Sequence, residues 1–129
     1  MARIVVVDDN AILRRRVREV LEQDGHSVEE AGEGKKGLEL IRAFKPHLVV
    51  ADIFMPEMDG LELIGELREG DNAPSVLAIS AGSSVLNHCM LPDARLLGAN
   101  DVLAKPFDSQ QLRRAVDNLL GSSREFEDS

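Results

Sequence analysis

Leu48-Val49-Val50-Ala51-Asp52-Ile53-Phe54-Met55-Pro56-Glu57-Met58-Asp59-Gly60 decides how this chain folds. A continuous apolar run ends abruptly in one carboxylate, Asp52, and a proline-containing turn follows. A short unbroken apolar run bounded by turn signals predicts a strand buried on both faces. Asp52 then stands where a central strand leaves the sheet. In open α/β sheets, ligands bind in the crevice at the carboxyl ends of the strands.

The same punctuation recurs on both sides. Arg3-Ile4-Val5-Val6-Val7 is a β-branched run stopped by Asp8-Asp9-Asn10, and it reads as another buried strand. Asn10 suits the cap of the helix that follows. Leu13, Val17, Val20 and Leu21 form one apolar stripe along it, and Gly25 ends it. Ser27-Val28-Glu29-Glu30-Ala31 is short and polar, as a sheet edge should be. After Gly32-Glu33-Gly34, the stretch to Phe44 reads as a helix with Leu40, Ile41 and Phe44 on its apolar face, closed by Pro46.

After Asp52 the pattern predicts a helix over 60–69 with Leu61, Ile64 and Leu67 inward. A loop over 70–74 and a strand from Ser75 to Ser80 follow. Pro92 interrupts the apolar stretch between Val85 and Leu97. Proline costs roughly 3 kcal/mol inside a helix but is accepted in the first turn. A loop or broken helix is therefore expected there, then a short helix over 92–97 stopped by Gly98. Asp101-Val102-Leu103-Ala104 is a further strand. Asp108-Ser109-Gln110-Gln111 is a capping-box pattern opening a last helix with Leu112, Val116, Leu119 and Leu120. Residues 1–120 read as one domain and 121–129 as a polar tail or linker stub. Five strands alternating with five helices imply one α/β domain, a parallel sheet doubly wound with helices on both faces.

The chain has 129 residues, 43% of them hydrophobic and only 3% aromatic. That is enough for one core, filled by Val, Leu, Ile and Ala. A net charge of −8 argues against direct nucleic-acid binding, which needs Lys and Arg in excess. The single Cys89 excludes an internal disulfide and suits a reducing compartment. No secretory signal pattern and no membrane-spanning run are read, so a cytoplasmic location with no membrane partner is expected.

Asp8, Asp9 and Asp52 all fall at carboxyl ends of strands. If those strands are neighbours, the three acids converge. Two bare charges about 4 Å apart would repel by on the order of 4 kcal/mol at an effective dielectric near 20. Carboxylates without His or Cys favour a hard cation, and Mg²⁺ (or Mn²⁺) is the usual choice where phosphate also binds. Lys105 follows a strand end and can serve phosphate oxygens as a point charge. Ser80 ends another strand and offers a hydroxyl.

These residues resemble the receiver domain of two-component response regulators. The resemblance covers roughly Ala2 to Leu120 and rests on Asp8-Asp9, Asp52 with Met55-Pro56 and Met58-Asp59-Gly60, Ser80-Ala81, Gly98-Ala99 and Lys105-Pro106-Phe107. It implies a flavodoxin-like sheet of strand order 2-1-3-4-5. It implies that Asp52 is phosphorylated by a sensor histidine kinase or a histidine phosphotransfer protein. It further implies that Asp8, Asp9, Asp52 and the Phe54 main-chain carbonyl hold Mg²⁺, while Ser80 and Lys105 bind the phosphoryl oxygens. The phosphate would shift a two-state equilibrium read by a downstream protein or output domain. The reading face would be the helix before Gly98, the strand at Asp101–Ala104 and the last helix. Such a chain is no enzyme beyond its own phosphorylation and dephosphorylation.

Two positions depart from that pattern. Val102 stands where the family commonly has Tyr or Phe, and the stretch from Ser80 to Gly98 is longer than usual. Gly32-Glu33-Gly34-Lys35-Lys36-Gly37 satisfies G-x-G-x-x-G, but it follows an edge strand where the fingerprint belongs on the first, central strand, and its middle is basic. No phosphate-binding G-x-x-x-x-G-K-[ST] loop exists. The haloacid-dehalogenase type of phosphatase fails because neither Asp8 nor Asp52 has a second acid two residues on. Arg14-Arg15-Arg16 with Arg18 reads as a solvated helix face, or as a kinase-docking surface by resemblance. The alternatives to a phosphorylated switch are a constitutive adaptor with this fold and a small Mg²⁺-dependent phosphatase.

Overall fold

The computed structural model describes residues 2–52, 74–80, 99–105 and 107–127. The helices expected over 60–69 and 92–97 lie outside the described residues, as do Phe54 and the Ser80 side chain. Strands β1 (Arg3–Val7), β2 (Ser27–Ala31), β3 (Leu48–Asp52), β4 (Ser75–Ser80) and β5 (Asp101–Ala104) form one sheet of order β2-β1-β3-β4-β5. All four pairings are parallel. Helices α1 (Ala11–Gln23), α2 (Gly34–Phe44) and α3 (Ser109–Glu127) pack on it.

Every residue of β3 is buried, as its unbroken apolar run requires. Side chains of alternate parity serve opposite faces. Val5, Val7, Val49, Ala51, Val76 and Ala78 pack toward Leu38 and Ile41 of α2, with Val102 against their margin. Ile4, Val6, Leu48, Val50, Leu77 and Ile79 pack toward Val17 and Leu21 of α1 and Leu112, Val116 and Leu120 of α3. Each fully buried Val, Leu or Ile contributes about 1.5–3 kcal/mol relative to exposure. The sheet is therefore held between two apolar layers, and its strand ends are fixed in register.

The caps follow the sequence. Asn10 Oδ1 accepts from the amides of Ile12 and Leu13 at 3.1 and 3.2 Å. Gly25, at φ 89°, takes the left-handed turn after α1. Asp108 Oδ1 accepts from the Gln111 amide at 2.7 Å, and the Asp108 amide donates to Gln111 Oε1 at 2.9 Å, closing the capping box. The helix it opens corrects one expectation. α3 continues through Gly121 to Glu127, where a polar tail was expected. A docked helix gains a hydrogen bond with each residue it adds, and one glycine costs only about 1 kcal/mol.

Gly37 has a packing role. A Cβ there would stand 2.7 Å from Val7 Cγ2, so its absence lets α2 lie close against β1. Gly32, which would open a dinucleotide loop, is occupied instead by the Arg14 guanidinium, 3.2 Å from where its Cβ would be. His26 and His47 anchor the start of β1. Their Nδ1 atoms accept from the Ala2 and Arg3 amides at 3.1 and 3.0 Å.

Candidate functional site

Register places the acids. Val7 pairs with Ala51 across β1 and β3, so the next residues, Asp8 and Asp52, leave the sheet side by side. Carboxylate oxygens of Asp8, Asp9 and Asp52 come within 4.8 Å of one another. Asp8 and Asp52 are 2% and 4% exposed, while Asp9 is open to solvent. Asp52 pairs with Ile79, and Ser80 with Ala104, so the backbones of Ser80 and Lys105 emerge at the same edge. Lys105 reaches back across β4: its Nζ donates to Asp52 Oδ2 at 3.1 Å and stands 3.6 Å from Asp8 Oδ2.

Asp8 is oriented as well as buried. Its Oδ1 accepts from the Asn10 amide at 2.9 Å, which turns Oδ2 toward Asp52 and Lys105. Oδ2 is buried and has no hydrogen-bond partner among the described residues. Burial pushes the Asp8 carboxyl up to about 6, and the neighbouring Asp52 charge adds to the rise. The Asn10 amide and the Lys105 ammonium oppose it without cancelling it.

This is a site short of positive charge. Among the described residues, one lysine faces three carboxylates, one of which presents a buried oxygen with no hydrogen bond. The donors are hard oxygens, which suit Mg²⁺ or Mn²⁺ rather than a soft transition metal. Asp8, Asp9 and Asp52 therefore fit a divalent cation, on donor type, convergence and the unsatisfied Asp8 oxygen.

Four of the expected site residues, Asp8, Asp9, Asp52 and Lys105, are thus brought together. Ser80 is placed by its backbone, and Phe54 lies outside the described residues. One further contact was not foreseen. Arg14 Nη1 donates to the Asp8 carbonyl at 2.7 Å. The basic run on α1 had suggested only a solvated or docking face.

The response regulator receiver domain family model matches residues 4–117. Response regulator MprA of Mycolicibacterium vanbaalenii is 41% identical over 119 residues, covering 92% of this chain and 50% of that protein. MprA of Mycobacterium avium is 38% identical over 128 residues, covering 98% and 54%. The chain spans about half the length of these relatives. Among solved structures, the receiver (REC) domain of AraT, a response regulator from Geobacillus stearothermophilus, superposes with a TM-score of 0.85 at 28% identity, covering 98% of each chain. The receiver domain of Francisella response regulator 1452 does so with a TM-score of 0.85 at 28% identity, covering 95% and 99%. The chain belongs to the response regulator receiver domain family, the receiving module of two-component systems. No helix among the described residues is long and apolar enough to cross a membrane.

Proposed function

We propose that Asp52 is the phosphoacceptor of this receiver, taking a phosphoryl group from a phosphohistidine on a sensor histidine kinase or a histidine phosphotransfer protein. The observation that carries the reading is the buried Asp52 carboxylate, 3.1 Å from Lys105 Nζ and beside two further acids. An Asp52 oxygen attacks phosphorus while the P–N bond to the donor imidazole breaks. The imidazole leaves with the bonding electron pair, and the product is an aspartyl acyl phosphate. Attack by water on that acyl phosphate later returns the carboxylate and inorganic phosphate.

Phosphoryl transfer asks mainly for alignment and for charge neutralisation on the transferred oxygens. Lys105 supports both the ionised Asp52 before transfer and the phosphoryl oxygens after it. Asp8, Asp9 and Asp52, with the Phe54 carbonyl, would hold Mg²⁺ or Mn²⁺, which when bound supplies the remaining positive charge. The Ser80 hydroxyl, carried at the end of β4 beside β3, would bind a phosphoryl oxygen.

The donor would approach along α1. Ile12 is 78% exposed in its first turn. A groove between α1 and the start of α3 is lined by Leu13, Val17, Phe107 and Leu112, with Arg16, Asp108 and Ser109, which suits an amphipathic histidine-bearing helix. The output would be read on β5, α3 and the segment before Ala99 by a downstream protein or output domain. The receiver unit is assigned to residues 1–120. Its catalysis is confined to its own phosphorylation and dephosphorylation, and its setting is the cytoplasm.

Incubation with acetyl phosphate and Mg²⁺, followed by intact mass measurement, tests the reading. The wild-type chain should gain one phosphoryl group and Asp52→Asn none. No adduct on the wild type, or an equal adduct on the variant, overturns it.

A further inference from the structure

Arg14 joins two parts of the molecule that the acid cluster alone does not connect. Its Nη1 donates to the Asp8 carbonyl at 2.7 Å, and its Nε donates to Glu30 Oε1 at 2.9 Å. The planar fork thus ties the peptide between Asp8 and Asp9 to the edge strand β2. Glu30 is held in turn by Arg18 Nη1 at 2.9 Å, and Arg18 by Glu22 at 3.2 Å. Burial disfavours the Glu30 charge, but the bonds from Arg18 and Arg14 outweigh it and hold its carboxyl below the usual range. Glu30 is an ionised anchor.

The grip on Asp8 is two-sided. Its amide donates to the Ala31 carbonyl at 3.1 Å, and its own carbonyl accepts from Arg14. Both main-chain polar groups of Asp8 are therefore fixed, the amide by β2 and the carbonyl by Arg14 of α1, leaving its side chain to face Asp52 and Lys105. Arg14 itself is only 20% exposed along its side chain, and the space over Gly32 receives its Nη1.

We propose that Arg14 is a positioning residue for the divalent-cation site. It fixes the Asp8–Asp9 peptide so that two mutually repelling carboxylates stay converged before a cation arrives. This rests on the functional reading above. Without the fork, solvent-exposed Asp9 relaxes away from Asp8 and Asp52, and cation affinity falls. Groups that orient metal ligands without touching the metal typically change affinity 10–100-fold.

Calorimetric titration of Mn²⁺ into the full chain tests this without reference to phosphorylation. Arg14→Ala should raise the dissociation constant on the order of tenfold or more. Arg14→Lys should fail to restore it, because one ammonium does not reproduce a planar fork with two fixed donors. Gly32→Ala, which crowds Nη1, should weaken binding in the same direction. Arg113→Ala controls for a general loss of stability. It removes a guanidinium from Asp24 at 3.2 Å and Gln23 at 3.1 Å between α3 and α1, and should leave the constant within about twofold, well below the 10–100-fold change expected for a ligand-orienting group.

Arg14→Ala binding within that same margin overturns the inference, as does full rescue by lysine. If Arg14→Ala fails to fold, Arg14→Lys and Gly32→Ala decide by the same criterion. A wild-type chain that binds no Mn²⁺ overturns the functional reading together with this inference. Wild-type binding with unaffected variants overturns the inference alone.

Discussion

Replacing Asp8 by asparagine should stabilise the metal-free domain while abolishing its cation response. Asp8 is 2% exposed, and its carboxyl titrates near 6 in the fold against an ordinary 3.8. The folded state therefore binds the extra proton between those values. Stability is fully present below pH ~4 and is lost as pH rises through 6. A rise of about two units corresponds to roughly 3 kcal/mol at pH 7, and to about half that at pH 5. Asparagine keeps the oxygen that accepts from the Asn10 amide and removes the charge. Urea denaturation in EDTA at pH 7 should place Asp8→Asn above wild type by on the order of 1–3 kcal/mol, since Asp52 and Lys105 readjust. The gap should narrow at pH 5. Adding Mg²⁺ should reverse the order, because only the wild type gains binding free energy in its folded state. A metal-free variant less stable than wild type at pH 7, or a gap that does not shrink on acidification, refutes the reasoning.

Lys105→Met removes the ammonium 3.1 Å from Asp52 and should slow phosphorylation by acetyl phosphate on the order of 100-fold, the scale of losing one aimed electrostatic donor. Initial rates at saturating Mg²⁺ measure this, and a change below about threefold would count against a phosphoryl-binding role. Gly37→Ala puts a methyl 2.7 Å from Val7 Cγ2 and should destabilise the fold by about 1–3 kcal/mol. The double variant with Val7→Ala should recover part of that loss in urea melts, and strict additivity would mean that the close contact is not the cause.

The strands were legible because their chemistry is local. β3 reads as buried on both faces from an unbroken apolar run, and all five of its residues are buried. The caps at Asn10 and Asp108 were legible for the same reason, since a cap is defined within four residues. The convergence of Asp8 with Asp52 was legible only conditionally. It depends on β1 lying beside β3 with Val7 opposite Ala51, a pairing across more than forty residues that no local pattern encodes.

Arg14 was hidden by its neighbours. Arg14, Arg15, Arg16 and Arg18 read as one basic run, but helical geometry divides them. Arg14 and Arg18, four apart, both turn to Glu30 on β2, while Arg15 and Arg16 stay exposed. The i, i+4 spacing on the face beside Val17 and Leu21 was the available signal. Gly37 was hidden differently, because what it relieves is a contact with Val7 thirty residues earlier. α3 ran past its expected end because a glycine weakens a helix locally, whereas docking of Leu112, Val116 and Leu120 sustains it from outside the local sequence.

Chemical mapping of the acyl phosphate tests the central claim most directly. Borohydride reduces an aspartyl phosphate to homoserine, and fragmentation of the proteolysed chain locates the change. After phosphorylation in Mg²⁺, homoserine should stand at position 52, with Asp8 and Asp9 recovered intact. Homoserine at 8 or 9, or phosphate retained as a stable ester on Ser80, would contradict the assignment of Asp52 as the acceptor.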